Sequence, residues 1–588
     1  MEKVGVFLCH CDLNISGDID VKKVLDAVSQ YPGVVHVEDC KDLCLPAGLD
    51  LLREAIAEKG LKAVVLNSCS PGLHEGLFRQ TVVSMGLSPY AYQIVNLRDI
   101  CGWPLVCDKE EATERAIEAI KASLDKLEQG EAFAPVSVPI TKRALVIGGG
   151  IAGIQAALDI ADGGYEVILV EKTSSIGGRM IQLSETFPTL DCPQCIETPK
   201  MVDVSQHPNI KLMPYCEVEE VSGSVGNFTV KIRKKATYVD WDKCTGCGDC
   251  MEKCPYRRIP AEFDCYLGNR RAIYRPFPQA VPNRPIIDTK GCVRFLRAGA
   301  GDTRERCRAC ALACQSDAIN FEMQDTFVEE KVGAIVVATG YDVFPKENIT
   351  EYPNDPDIID GLQMERLLSS TGPTAGQMKR PSDGQVPQEV VFIQCVGSRD
   401  PAHYFPYCSR VCCMYTAKQA MLYKHAVHEG QAYVFYMDIR ADGKGYEEFI
   451  QRAMEEDKVL YIRGRVSKIF RQGKKLVVWG IDTLSGNNVE IPADLVVLAV
   501  ALVPSAGTRE LAQKLGVAVD ENGFMTEANA KLGTMESVIS GIYLAGMVQG
   551  LRDIPDSVQQ ASGAASKVLD LFAKDEMLLE PALVAATV

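Results

Sequence analysis

What this chain lacks narrows it first. No hydrophobic run approaches the roughly 20 residues that span a bilayer, so no membrane-crossing helix is expected. Met1–Cys9 reads as a short apolar strand with neither the long apolar region nor the cleavage site of a signal peptide, and a soluble, cytoplasmic protein is expected. Positive charge is in deficit. The 62 Lys and Arg face 78 Asp and Glu, leaving −16 and a pI near 5.1, a balance that repels the phosphates of nucleic acid. There is no tandem repeat of the solenoid type and no low-complexity tail. What remains is an ordinary folded composition, 588 residues at 47% hydrophobic and 24% charged, with room for roughly three or four domains of about 150 residues each.

The cysteines stand out. There are 23, many in C-x-x-C groups, and in a large chain without an export signal that pattern means metal before disulfides. Scattered buried thiols account for Cys40, Cys107, Cys216 and Cys265, but not for the clustered remainder.

Periodicity divides the chain. Residues 1–135 alternate strands and helices (strands Lys3–Cys9 and Lys62–Asn67, helices Val21–Gln30 and Glu110–Leu127) and read as an α/β domain. Glu128–Ile140 reads as a linker, and a βαβ unit begins at Lys142. Residues 237–321, rich in Cys, Arg and Pro, read as a module inserted into a second α/β domain, residues 141–236 and 322–588. That domain resumes at Lys331–Gly340, with a strand at Ala334–Val337, and closes with a helix from Ser557 to about Lys574.

The second α/β domain opens on a dinucleotide fingerprint. A strand runs into Gly148-x-Gly150-x-x-Gly153 and a helix, where glycine allows the tight turn and lets a pyrophosphate approach the helix N-terminus. Glu171 ends the next strand, where an acid can bind a ribose hydroxyl. Gly177-Gly178-Arg179, Ala338-Thr339-Gly340 and Gly541-Ile-Tyr-Leu-Ala-Gly546 resemble the segments of thioredoxin-reductase-like flavoproteins that select FAD. Met547 stands where such proteins usually carry Asp.

Where a two-nucleotide flavin reductase keeps its nicotinamide loop, the strand Val390–Gln394 runs into Cys395-Val-Gly-Ser-Arg-Asp, followed by Cys408, Cys412 and Cys413. Four thiolates on one strand–loop–helix unit suit an iron–sulfur cluster and leave little room for NAD(P)H. Flavin–cluster electron transfer is therefore expected, in place of hydride transfer.

The insert carries Cys244-x-x-Cys247-x-x-Cys250-x-x-x-Cys254-Pro255, a bacterial ferredoxin motif, and a companion set, Cys292 and Cys307-x-x-Cys310-x-x-x-Cys314. Cys244, Cys247, Cys250 and Cys314 are expected on one [4Fe–4S] cluster. Cys254, Cys292, Cys307 and Cys310 are expected on another. The wide spacing from Cys292 to Cys307 departs from an ordinary ferredoxin. Zinc sites seldom follow this pattern.

In the N-terminal domain Cys9, Cys11, Cys44, Cys69 and Cys101 are candidates. Cys9 and Cys69 end predicted parallel strands whose loops can converge on one sheet edge; a further cluster and unligated thiols are both open. Cys192-Pro-Gln-Cys195 either completes that cluster or forms a redox disulfide near the flavin.

Long words of this sequence resemble the A-type subunits of the heterodisulfide reductase family. They are Cys9-His-Cys-Asp-Leu-Asn-Ile, Cys69-Ser-Pro-Gly-Leu-His-Glu75, Thr186-Phe-Pro-Thr-Leu-Asp-Cys-Pro-Gln-Cys195, Ala272-Ile-Tyr-Arg-Pro-Phe-Pro-Gln-Ala-Val-Pro282, Gln394-Cys-Val-Gly-Ser-Arg-Asp400 and Asp553-Ile-Pro-Asp556. The resemblance covers almost the whole chain. It implies FAD and several [4Fe–4S] clusters; with the cysteine groups above, three are expected, and a fourth in the N-terminal domain at Cys9, Cys11, Cys44 and Cys69. It also implies a complex that divides electrons between ferredoxin and a disulfide-reducing branch. Implied partners are B- and C-like subunits of heterodisulfide reductase, a hydrogenase, formate or NADH dehydrogenase module, ferredoxin, and a second copy in a homodimer. Lys418, in Cys412-Cys-Met-Tyr-Thr-Ala-Lys418, matches the family's lysine near the flavin; the bland alternative is a solvated helix residue. Many members carry a further ferredoxin-like domain, yet no cysteine follows Cys413 here, so that electron route would need another chain or cluster. The competing functions are a non-bifurcating electron relay and an NAD(P)H-dependent disulfide reductase.

Overall fold

The computed structural model describes residues 3–11, 13–105, 108–129, 136–297 and 306–579. Cys107 and residues 130–135 of the expected linker lie outside them. The described residues belong to two compact units, one within Met1–Val138 and Leu578–Val588, the other Pro139–Met577.

The first unit is built on four parallel strands in the spatial order Val34–Cys40, Val4–Cys9, Ala63–Ser68, Tyr92–Asn96. The two central strands are buried along their whole length, because helices cover both faces of a parallel sheet and each face needs apolar side chains. Val4, Val6 and Leu8 enter one core while Phe7 and Cys9 enter the other. The chain reverses its winding between Val4–Cys9 and Ala63–Ser68. Loops from the carboxyl ends of those strands therefore open a crevice, and Cys9 and Cys69 stand at its rim.

The second unit holds two parallel sheets. One runs Ile542–Leu544, Ala334–Val337, Arg143–Ile147, Glu166–Glu171, Ile210–Pro214, extended by antiparallel strands at Gly533–Ser537 and Glu527–Asn529. The other runs Ile358–Asp360, Leu495–Val500, Glu389–Val396, Gln431–Tyr436, Leu460–Arg463. The fold is α/β, as expected. The cysteine-rich segment leaves an antiparallel sheet after Lys234 and returns at Thr326, the residue paired with Lys234. Val239 and Ile319 bridge inside it, so its two ends lie together.

The expected strand Ala334–Val337 is present with those bounds, and a second strand, Thr326–Val332, precedes it in a different sheet. Gly333 makes the corner, where a Cβ would lie 2.2 Å from the Thr141 carbonyl oxygen. The closing helix is Ile554–Phe572, starting earlier than expected because Asp553 caps it, accepting the Asp556 N–H.

Candidate flavin and iron–sulfur sites

The end of strand Arg143–Ile147 opens into a cavity of about 900 Å³. Gly148, at φ +109°, has no room for a side chain: a Cβ would stand 2.4 Å from the Ala338 carbonyl oxygen. Gly150 and Gly178 face each other across the cavity floor, and a Cβ on Gly178 would reach within 2.8 Å of the Gly150 Cα. Gly153 does not line the cavity; it lets the helix Ile151–Asp162 settle onto the loop, since a Cβ there would meet the Gly148 oxygen at 1.8 Å. Glu171 lines the cavity, but both carboxylate oxygens also brace its own loops. One accepts the Gly149 N–H at 2.7 Å and the other the Thr173 N–H at 2.7 Å.

Ala338, Thr339 and Gly340 form the next wall, and the Thr339 hydroxyl is buried there without a partner. Gly546 (φ +70°) and Met547 close the cavity from the C-terminal segment. The Gly546 N–H donates to Gln560 at 2.8 Å. Arg179 is fixed at the rim by Asp342 at 2.5 Å and by Gln182 at 3.1 Å. Burial opposes ionisation of Asp342, but the Ala506 N–H and the Arg179 charge hold its carboxyl below the ordinary range.

Lys418 is buried in the wall of the same cavity. The helix that carries it, Cys412–Ala426, buries residues all round, so no face of it is left for a solvated lysine. Its ammonium lies 2.8 Å from Glu365 Oε1 and donates to the Glu185 carbonyl at 2.5 Å. Glu365, equally buried, also accepts from Gln419 at 2.6 Å, the Ser184 N–H at 2.9 Å and the Ser184 hydroxyl at 2.7 Å. Burial alone would neutralise it; the Lys418 charge and these donors keep its carboxyl below the ordinary range.

The Cys395 group shares this helix. The strand expected to stop at Gln394 continues to Val396 through an irregularity in register, with Cys395 at φ +59°. A non-glycine residue rarely adopts that conformation. Cys412 and Cys413 begin the helix, and the Cys412 thiol is hydrogen-bonded to both Cys395 and Cys413. That contact with Cys412, aided by the Arg399 charge, holds the Cys395 thiol below its ordinary range against burial. Cys408 accepts the Arg410 N–H at 3.3 Å and Cys413 the Arg440 N–H at 3.4 Å. Val411 and Tyr415, on either side of the cysteine pair, line the cavity.

In the insert, Cys254, Cys292, Cys307 and Cys310 line one small cavity of about 20 Å³. The Cys250 thiol is pushed up to about 12, first by burial and then by repulsion from Cys244, Cys310, Cys314 and Cys247. Backbone N–H groups of Gly246 and Ala318 point at Cys244 and Cys314. Met251, inside the first cysteine run, lines the large cavity.

In the first unit, Cys9 is pushed up to about 11, chiefly by burial, with Cys11 and Cys44 adding repulsion. Cys69 and Cys11 both lie within electrostatic reach of Arg98. Cys40 pairs across the sheet with Cys9, nearer the candidate set than a scattered thiol would be. Cys101 packs in the core. Cys192 and Cys195 form a disulfide.

The family described as "FAD dependent oxidoreductase" matches residues 144–245, and the "4Fe-4S binding domain" matches 237–257. An iron–sulfur A subunit of CoB–CoM heterodisulfide reductase from Methanopyrus kandleri is 46% identical over 583 residues, 98% of this chain and 87% of its own. The A subunit of the H2:CoB-CoM heterodisulfide,ferredoxin reductase from Methanothermobacter thermautotrophicus is 44% identical over 588 residues, 100% of this chain and 87% of its own. This chain belongs to the family of heterodisulfide reductase A subunits. It is an FAD and iron–sulfur oxidoreductase. Among solved structures, T. acidophilum thioredoxin reductase aligns with 74% of this chain and 100% of its own at 14% identity, with a TM-score of 0.41.

The residues of this heterodisulfide reductase family member fit the implied groups. The glycine cradle, the unpartnered Thr339 hydroxyl and the cavity volume suit FAD. Thiols with N–H groups aimed at their sulfurs suit iron–sulfur clusters. Among the described residues, the one group of three metal-binding side chains with mutually close donor atoms is Glu351, Asp400 and His403. No helix among the described residues is long and apolar enough to cross a membrane.

Glu365 and Arg366 went unread in the sequence. Arg366 is wholly buried, bound to Asp264 at 3.1 Å and the Gln182 carbonyl at 3.0 Å. The available signal was charge on the apolar face of the short helix Gly361–Leu368, among Leu362, Met364 and Leu367, since buried charges are paired.

Proposed function

We propose that this chain is the electron-dividing component of a heterodisulfide-reductase-like complex, in which an electron pair received in the large cavity leaves singly by two cysteine groups. One observation carries this reading. A single cavity is walled by Met251, inside the Cys244–Cys254 run, and by Val411 and Tyr415, beside Cys412 and Cys413. Each exit is adjacent to the cavity and the exits are separate. FAD, when bound, supplies the ability to accept electrons in pairs and release them one at a time. Gly148, Gly150 and Gly178 would hold its pyrophosphate side, with Gly153 seating the helix, while Ala338, Thr339, Gly340 and Gly546 would form the walls.

Cys244, Cys247, Cys250 and Cys314 would hold one cluster, and Cys254, Cys292, Cys307 and Cys310 a second. Cys395, Cys408, Cys412 and Cys413 would hold a third; Cys9, Cys11, Cys44 and Cys69 would hold a fourth in the first unit. The buried Lys418 ammonium favours negative charge arriving in the cavity, because few water dipoles are there to screen it. Glu365 fixes that ammonium in place. Nicotinamide chemistry is disfavoured, since the strand continues through Cys395 where a phosphate loop would turn.

Relatives' names support part of the partner set. These include an H2:CoB-CoM heterodisulfide,ferredoxin reductase, an H2/formate-dependent one from Methanococcus maripaludis and a ferredoxin/F420H2-dependent one from Methanosarcina acetivorans. We infer B- and C-like subunits of heterodisulfide reductase, a hydrogenase, formate or NADH dehydrogenase module, ferredoxin, and a homodimeric arrangement. The test is a potentiometric titration of the cluster-loaded protein followed by flavin absorbance. Bleaching in one two-electron wave is expected. Two well-separated one-electron steps would make the chain a single-electron relay instead.

A further inference from the structure

The Cys192–Cys195 disulfide is used by neither the cavity nor the proposed cluster groups. Both residues are exposed. Cys192 caps the 14-residue helix Pro193–Gln206, and its sulfur accepts the Cys195 N–H at 3.1 Å. Negative charge on that sulfur is favoured by the helix N-terminus and by the N–H already aimed at it.

Two hydrogen-bond links run from this disulfide to the flavin cavity. Gln194, between the cysteines, donates to the Ile181 carbonyl at 3.3 Å and to the Thr371 hydroxyl at 2.8 Å. Asp191, just before Cys192, accepts the Thr186 N–H at 2.9 Å. Thr371 and Thr186 both line the cavity. An accessible sulfur pair is thus joined through hydrogen-bonded segments to the cavity wall, while exposed to whatever approaches from solvent.

We propose that Cys192–Cys195 is a redox-active disulfide that exchanges two electrons with an external dithiol. A thiolate of the donor attacks the Cys195 sulfur; the Cys192–Cys195 bond breaks, and its electron pair leaves on Cys192. The donor's second thiolate then attacks the mixed disulfide, closing the donor's own disulfide and releasing Cys195. Two thiols of the donor are oxidised and two of this chain are formed, with the donor's two protons available to them. Nothing in this exchange depends on how electrons are divided in the flavin cavity.

The experiment uses the anaerobic, FAD- and cluster-loaded full chain with dithiothreitol as the probe. Differential alkylation and mass spectrometry read the peptide containing both cysteines. The expected result is a gain of two alkylatable thiols on that peptide, reversed by oxidised dithiothreitol, with iron content unchanged. A Cys192→Ser/Cys195→Ser variant should keep its full iron and FAD and lose only those two thiols. If the variant instead loses about four irons per chain, and the wild-type pair resists alkylation while the clusters are intact, the pair ligates a cluster and the proposal is overturned. A pair that stays oxidised at every dithiol ratio is a structural brace, which overturns it equally. The wild-type alkylation decides the matter even if the variant fails to fold.

Discussion

Two helices of the larger unit each bury a glutamate, and they treat it in opposite ways. Glu365, on Gly361–Leu368, receives Lys418, Gln419 and two donors from Ser184. Glu197, on Pro193–Gln206, is completely buried with neither carboxylate oxygen partnered. The first carboxyl is held below its ordinary range by the Lys418 charge despite burial; burial alone drives the second well above it. One site keeps a charge inside the protein by surrounding it with donors, and the other keeps a neutral acid by giving it none. The paired glutamate lines the flavin cavity and the unpaired one does not. A buried ionised group therefore marks where this fold has been built for charge, whereas burial alone does not.

The largest effect should come from breaking the paired side. Lys418→Met leaves Glu365 as an unpaired buried carboxylate, and removing one partner of such a pair costs roughly 3–5 kcal/mol. Chemical denaturation should show that loss. The flavin midpoint potential should fall in the same variant, because the cation that favours electrons in the cavity is gone. The double variant Lys418→Met/Glu365→Gln separates the two effects. Stability should largely return while the potential stays low; a potential that returns with stability would show that Lys418 acts only as a structural partner.

The opposite change should help the unpaired side. Glu197→Leu replaces a buried acid that has no hydrogen bond by an apolar side chain of comparable reach. Stability should rise by about 1–3 kcal/mol at neutral pH, the cost that protein mutants assign to a buried unsatisfied polar group. FAD content should not change. If Glu197→Leu destabilises the protein, the carboxyl has a partner or a role that its surroundings do not reveal.

These two glutamates also show what was legible in the sequence. The glycine loop at Gly148–Gly153 and the cysteine runs are local words, and their chemistry follows from spacing over a few residues. The α/β alternation was readable for the same reason, since a strand buried on both faces needs a continuous apolar run. Glu365 and Glu197 are single letters on helices. Their different fates depend on Lys418, 53 residues from Glu365, and on the absence of any such partner for Glu197. The strand Ala334–Val337 was readable, but the corner before it at Gly333 was not, since the Thr141 carbonyl on a neighbouring segment forces it. Glu171 stands where the fingerprint places an acid, but its hydrogen bonds to Gly149 and Thr173 depend on how the loop closes.

The finest test of the contrast is pH. Glu365 has a lowered folded pKa, so its contribution is present above the ordinary carboxylate value of 4.5 and is lost as pH falls through the folded value. Glu197 has a raised one. Its contribution is complete below 4.5, where folded and unfolded chains both hold the proton. Above that the unfolded chain releases its proton first, and the contribution declines until the folded carboxyl also ionises. Each such proton changes stability by at most about 1.4 kcal/mol per pH unit. Subtracting the Glu197→Leu stability curve from that of the wild type should therefore leave a difference that declines with rising pH. The same subtraction with Lys418→Met/Glu365→Gln should leave one that declines with falling pH. Two slopes of the same sign would mean that one of the two glutamates is not in the protonation state its surroundings dictate.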